Sequence, residues 1–185
     1  ELFSVRNFAV GILGNLFARL GNGAMPFLTP LLLQVGLGYS PMHAGLSMIP
    51  MTVGALIAKS VATPLVRRFG YRTILAVNTL SLGAMIALFS VIGRDTNYWL
   101  MLLIFSVFGV INSMQFTAMN TVTLVDLSDR QASSGNSLLS VIMQLSMSMG
   151  IAIAAAILGG FTGNGALTQG QDVIGAFAKT YLCLG

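Results

Sequence analysis

The sequence has 185 residues, of which 55% are hydrophobic and 8% charged, against roughly 25% charged in a soluble globular domain. With a mean hydropathy of +0.85, this composition excludes a soluble enzyme, a disordered tail, a collagen and a disulfide-stapled secreted module. The net charge of +4 rests on nine Lys and Arg, too few and too scattered for a nucleic-acid surface, and they read instead as topology signals in a membrane protein.

A transmembrane helix needs about 20 mostly apolar residues. Five stretches qualify, at roughly 8–33, 44–65, 73–93, 98–120 and 135–160. A sixth starts near Val173 and stops at Gly185, too short to cross. The expected fold is therefore all-α, a polytopic helical bundle in the lipid bilayer. The chain opens on Glu1 and ends inside an apolar run, so both ends read as cuts in a longer protein with no signal peptide.

In the first span, Arg19 stands thirteen residues after Arg6, about 20 Å along a helix and near mid-membrane. Asn15 and Asn22 share its face, and Gly21, Gly23, Pro26 and Pro30 would loosen or kink the helix just beyond. A charge in hydrocarbon needs a reason. One is substrate contact, since broken helices near the midplane are where transporters place their sites. The other is an Arg satisfied by carbonyls, or by an acid elsewhere in the protein.

The second span carries Lys59, eight residues before Arg67, close enough for its stem to snorkel to the interface. It also carries Gly54, Ala58 and Ala62 at four-residue spacing, a small-residue seam for close helix approach. A basic loop, Arg67 to Arg72, leads to the third span. On the fourth span Asn112 and Gln115 lie three apart on one face, and the fifth carries Ser137, Ser140, Gln144 and Ser148 in a line. For the serines, bonding between helices is the favoured role. For Asn112, Gln115 and Gln144, cavity lining and helix bonding stand open together. Ser146, Gly150 and Ala154 repeat the small-residue seam. With the N-terminus in the cytoplasm, Arg6, Arg67, Arg68, Arg72 and Arg130 fall inside and Arg94 outside, a positive-inside bias.

Sliding the chain by ninety residues sets Asn7 over Asn97, Asn22 over Asn112, Gly45 over Gly135 and Ser47 over Ser137. An inverted repeat of three helices would give such a pattern. The sequence has no Walker loop, no cluster of metal-ligand residues and no His-plus-nucleophile pair, His43 being its one histidine. No catalytic residue, metal or cofactor is expected. A proton-driven carrier needs a buried carboxylate, and none stands in a span before Asp172, so that acid would lie outside this stretch.

Pro26-Phe-Leu-Thr-Pro-Leu-Leu-Leu-Gln34, Gly38-Tyr-Ser-Pro41, Ala44-Gly-Leu46 and Pro50 together resemble the C-terminal half of drug:proton antiporters of the EmrB/QacA type, within the major facilitator superfamily. Thr63-Pro-Leu-Val-Arg-Arg-Phe-Gly-Tyr-Arg72 is similar to a degraded copy of the superfamily's cytoplasmic loop G-x-L-a-D-R-x-G-R-R. Leu65, Arg68, Gly70 and Arg72 fit it, while Thr63 and Arg67 stand where Gly and Asp would be. The absent Asp implies that this copy cannot form the full charge-relay latch of that loop. The resemblance implies a six-helix half, its last helix clipped, of an exporter in the bacterial inner membrane. That exporter would work by alternating access, with a small-molecule substrate, the proton as coupling ion and a missing N-terminal half. Its first, fourth and fifth spans would line the cavity. Because this half offers buried cations and amides rather than acids, export of an anionic metabolite such as a carboxylate stands as the alternative to drug export. A membrane enzyme or a non-transport scaffold is disfavoured: no nucleophile–base pair is visible, and an anchor does not need a mid-membrane Arg.

Overall fold

The computed structural model describes residue 16 and residues 19–124, 129–162 and 171–185. Among them every regular element is helical. In chain order these are α1 (Met25–Leu31), continued by a π-helical stretch Leu32–Gly36, then α2 (Pro41–Phe69), α3 (Tyr71–Leu88) with a 3₁₀ turn Phe89–Val91, α4 (Tyr98–Leu124), α5 (Asp129–Thr162) and α6 (Gln171–Leu184). Four segments within these helices are long and apolar enough to cross a membrane: Pro41–Ala62, Thr73–Val91, Tyr98–Thr123 and Ser133–Phe161. Outward faces stay apolar, with Met42, Leu46, Ile49 and Val53 exposed along α2 and Val141, Leu145, Met149 and Ile153 along α5. Such continuous stripes suit a surface covered by lipid or by more protein rather than by water.

The first helix is discontinuous where the Gly and Pro residues fall. Helical residues through Asn22 give way to a turn at Gly23 and Ala24 before α1 begins with Pro at its first turn. Pro26 has no N–H for the carbonyl of Asn22, and Pro30 none for that of Pro26. The chain then closes a wider turn, Leu37 N–H bonding Leu32 C=O at 2.9 Å, the i→i+5 spacing of a π-helix.

The core gathers at the end of the bundle away from the α2–α3 corner. Phe89 stacks on Phe105 with centroids 5.4 Å apart, meets Phe108 edge-on at 5.3 Å and touches Tyr181 at 5.5 Å. Leu28, Leu32, Leu33 and Phe177 pack into the same buried cluster, so α1, α3, α4 and α6 share one apolar centre.

Elsewhere the helices meet through glycines. A Cβ built on Gly54 would overlap the Ser106 carbonyl oxygen, and one on Gly109 the Met51 carbonyl oxygen, so α2 and α4 touch backbone to backbone. The first helix and α5 meet in the same way: a Cβ on Gly23 would lie 2.9 Å from the Met147 Cα, and one on Gly150 would overlap the Leu20 carbonyl oxygen. The two seams are copies of each other. Gly109 follows Gly23 by 86 residues, as Ser106 follows Leu20, while Gly150 follows Gly54 by 96, as Met147 follows Met51. The seams do not follow the uniform offset of ninety expected from the sequence, and at 86 and 96 residues Asn22 and Asn112, or Gly45 and Gly135, are not equivalent positions. The second copy carries ten more residues between its two seam helices than the first, and a single sliding offset averages across that insertion.

Candidate functional site

The break in the first helix positions the site. Arg19 is partly buried, and its guanidinium lies over the ring of Phe116 on α4, 4.7 Å from the centroid, within the roughly 6 Å reach of a cation–π contact. One turn on, the Asn22 Nδ2 donates a hydrogen bond to Asn112 Oδ1, again on α4. Beside these residues opens a cavity of about 410 Å³, in the size range of small-molecule sites. Gly23 and Pro26 border it from the first helix, Ala55 from α2, Ser113 and Thr117 from α4, and Met147 from α5. The Ser113 hydroxyl donates to the Ala55 carbonyl at 3.0 Å, tying α4 to α2 at the edge of the cavity.

The chemistry of this lining is a cation, two amides, two hydroxyls and an apolar wall. Among the described residues that line the cavity, Arg19 is the only ionisable one. The Asn22 Oδ1 is buried without a hydrogen-bond partner, an acceptor placed beside the cavity. Together these groups offer positive charge, amide and hydroxyl groups for hydrogen bonding and a flat aromatic face that Arg19 already uses.

The other residues singled out in the sequence are placed differently. Asn15 lies outside the described residues. Gln115 is buried with its amide committed: its Oε1 accepts from Asn78 Nδ2 at 2.9 Å and its Nε2 donates to the Thr79 hydroxyl at 2.8 Å. It borders a crevice of about 10 Å³ beside Arg19 and Asn22 rather than the main cavity. Gln144 is exposed on α5 and does not line the cavity. The serines of α5 behave otherwise than the favoured sequence role. Ser137 and Ser140 are exposed and donate to the Ser133 and Asn136 carbonyls of their own helix, at 3.0 and 2.8 Å, the local satisfaction open to a helical hydroxyl.

Of the motif-loop residues, Gly70 forms the one-residue corner between α2 and α3 at φ 76° and ψ 155°, a region that is essentially glycine-only. Leu65 is half-buried near the end of α2, Arg68 is exposed with its guanidinium 5.7 Å from the Phe69 ring, and Arg72 lies on the first turn of α3. Lys59 falls on α2, and its side chain is outside those described.

Phe116, Ser113, Thr117 and Asn78 escaped the sequence reading. Phe116 stands four residues after Asn112, hence on the same helix face, and that spacing was the available signal. Asn78 offered only its polarity in an apolar span.

The sequence profile of the Major Facilitator Superfamily matches residues 1–151. Among curated proteins, the chain is 47% identical over 184 residues to MdtD of Cronobacter sakazakii, a protein named for multidrug resistance. It is 45% identical over 184 residues to the like-named protein of Serratia proteamaculans. Both matches cover 100% of this chain and 39% of the relative, so the chain spans about two fifths of their length. Apolar helices long enough to cross a membrane, two glycine seams related as copies and a profile match over most of the sequence agree: the chain is a multi-pass membrane protein of the major facilitator superfamily.

Proposed function

We propose that this chain is the C-terminal six-helix part of a longer secondary transporter that exports drugs or small metabolites by alternating access, and that it has no enzymatic activity. The observation carrying this reading is the cavity at the broken first helix, where Arg19 and Asn22 meet Asn112 and Phe116. A discontinuous helix facing its counterpart across a repeat is where secondary transporters hold substrate. Arg19, Asn22 and Asn112 would bind and orient the substrate, and Phe116, Pro26 and Met147 would receive its apolar part. Asn15 stays in the proposed site on its helix position alone, Gln115 acts there by fixing α4 against α3, and the exposed Gln144 is not assigned to it.

The protein would lie in a bacterial inner membrane with the Arg67–Arg72 loop in the cytoplasm, as the distribution of arginines favours. The proton is the proposed coupling ion. No carboxylate lines the described cavity, so the proton-carrying acid is assigned to the remaining, N-terminal part of the protein.

The charge of the lining favours a second reading in which the cargo is an anionic metabolite such as a carboxylate. Efflux from everted vesicles bearing the full-length protein, with and without a pH gradient, tests both. Gradient-dependent movement of cationic dyes supports drug export. Movement of organic acids that is lost in Arg19→Ala and kept in part by Arg19→Lys supports the anion reading, which unchanged acid efflux in Arg19→Ala would refute. No efflux of any dye or acid would overturn the transport reading.

A further inference from the structure

A second cleft, of about 450 Å³, lies between the adjoining ends of α2 and α3 and is floored by α4. Its walls are Leu65 and Phe69 of α2, Ile74 and Val77 of α3 and Met114 of α4. Its one amide side chain, Asn78, is already satisfied by the Ile111 carbonyl at 2.9 Å and by Gln115. The exposed Thr73 adds one hydroxyl to the lining, and the rest of the cleft surface is apolar. Phe69 and Val77 are exposed large hydrophobic residues on its rim.

Its level in the bundle is read from the extent of the apolar spans. The apolar window of α2 ends at Ala62 and that of α3 starts at Thr73. The cleft's walls run from Leu65 on α2 to Asn78 on α3, so they straddle the boundary between hydrocarbon and headgroups. At that boundary the charge has one sign: Thr63 to Arg72 holds Arg67, Arg68 and Arg72 and no carboxylate. Arg68 is exposed, its guanidinium 5.7 Å from the ring of Phe69 that forms the cleft wall. An apolar slot within the membrane with a cation at its mouth matches a molecule that is apolar along its length and anionic at one end.

We propose that this cleft binds an anionic phospholipid, with an acyl chain against Ile74, Val77 and Met114 and the phosphate at Arg68. Basic pockets between transmembrane helices bind such headgroups, and guanidinium is well suited to phosphate. The lipid would act as a wedge at the glycine corner between α2 and α3, and the cleft's floor residue Met114 adjoins Ser113 of the substrate cavity on α4.

The test is native mass spectrometry of the full-length transporter after delipidation and equilibration with phosphatidylglycerol or phosphatidylcholine. Wild type should retain phosphatidylglycerol in preference to phosphatidylcholine. Arg68→Gln should weaken retention about fivefold, as expected for one basic residue at the surface, with Arg68→Lys close to wild type. Val77→Trp, which fills the slot without altering charge, should also lower retention. Equal retention of the two lipids, or variants that hold lipid as wild type does, would overturn the proposal. A photo-crosslinker at Phe69 should join lipid, and its capture by another segment of the transporter would show that protein covers the cleft and would refute a lipid occupant.

Discussion

A single methyl group at Gly54 or Gly109 should separate α2 from α4. The atoms it meets are the carbonyl oxygens of Ser106 and Met51, which belong to backbone and move only with their helix. Restoring ordinary contact means parting the helices by about 1 Å, and a gap of that order forfeits a quarter to a half of the dispersion energy along the seam. Overpacking a tight core costs about 1–3 kcal/mol. With backbone on the far side, Gly54→Ala and Gly109→Ala should each fall near the upper end of that range. The double variant should then cost little more than either single, since helices already parted by the first methyl admit the second. That leaves an interaction energy of about 2 kcal/mol between two residues on one seam. Gly45, which has open space where a Cβ would point, is the control: Gly45→Ala should be neutral, or stabilise by up to about 1 kcal/mol through helix propensity. Reversible unfolding of the full-length protein in detergent micelles measures all four. Additive losses, or single variants indistinguishable from Gly45→Ala, would refute the backbone-contact argument.

Asn22→Ala and Asn112→Ala should be strongly coupled in a double-mutant cycle, by about 0.6 and at most about 1.7 kcal/mol, read from the same unfolding assay; independence would remove the bond between them. Gln115→Leu removes one of the two acceptors of the buried Asn78 amide and the partner of the exposed Thr79 hydroxyl and should destabilise by about 1 kcal/mol, whereas Gln144→Leu, on an exposed side chain, should change stability by under about 0.5 kcal/mol. Gly70→Ala forces a Cβ into a glycine-only backbone region and should cost about 1–3 kcal/mol. Limited proteolysis at the α2–α3 corner should report it as faster cleavage.

Composition made the spans legible because hydrocarbon leaves the backbone few ways to satisfy itself. The four-residue rows Gly54-Ala58-Ala62 and Ser146-Gly150-Ala154 likewise named surfaces that are buried against other helices, since small residues in a lipid-facing helix serve close approach. Arg19 was legible as an expense that something must justify. What stayed hidden depended on the neighbour. Gln115 and Asn112 share a helix and a polarity, yet one turns to Asn78 and the other to Asn22, a difference set by how α4 is rotated between α3 and the first helix. Phe116 carried no sign of its cation because that partner stands 97 positions earlier in the chain. The glycines at 23 and 109 read as helix looseners or not at all until their partners across the seams were known.

The unequal repeat gives the two seam helices unequal reach. Before its glycine contact, α2 has 13 residues, from Pro41 to Gly54, whereas α5 has 21, from Asp129 to Gly150. At 1.5 Å per residue these are arms of about 20 and 31 Å from their fulcrums. If both helices rock through the same angle about these contacts, the Asp129 end sweeps about one and a half times the arc of the Pro41 end. The same rotation therefore displaces the opposite face of the membrane about one and a half times as far, so the eight extra residues of the longer arm act as modest gearing between the two sides.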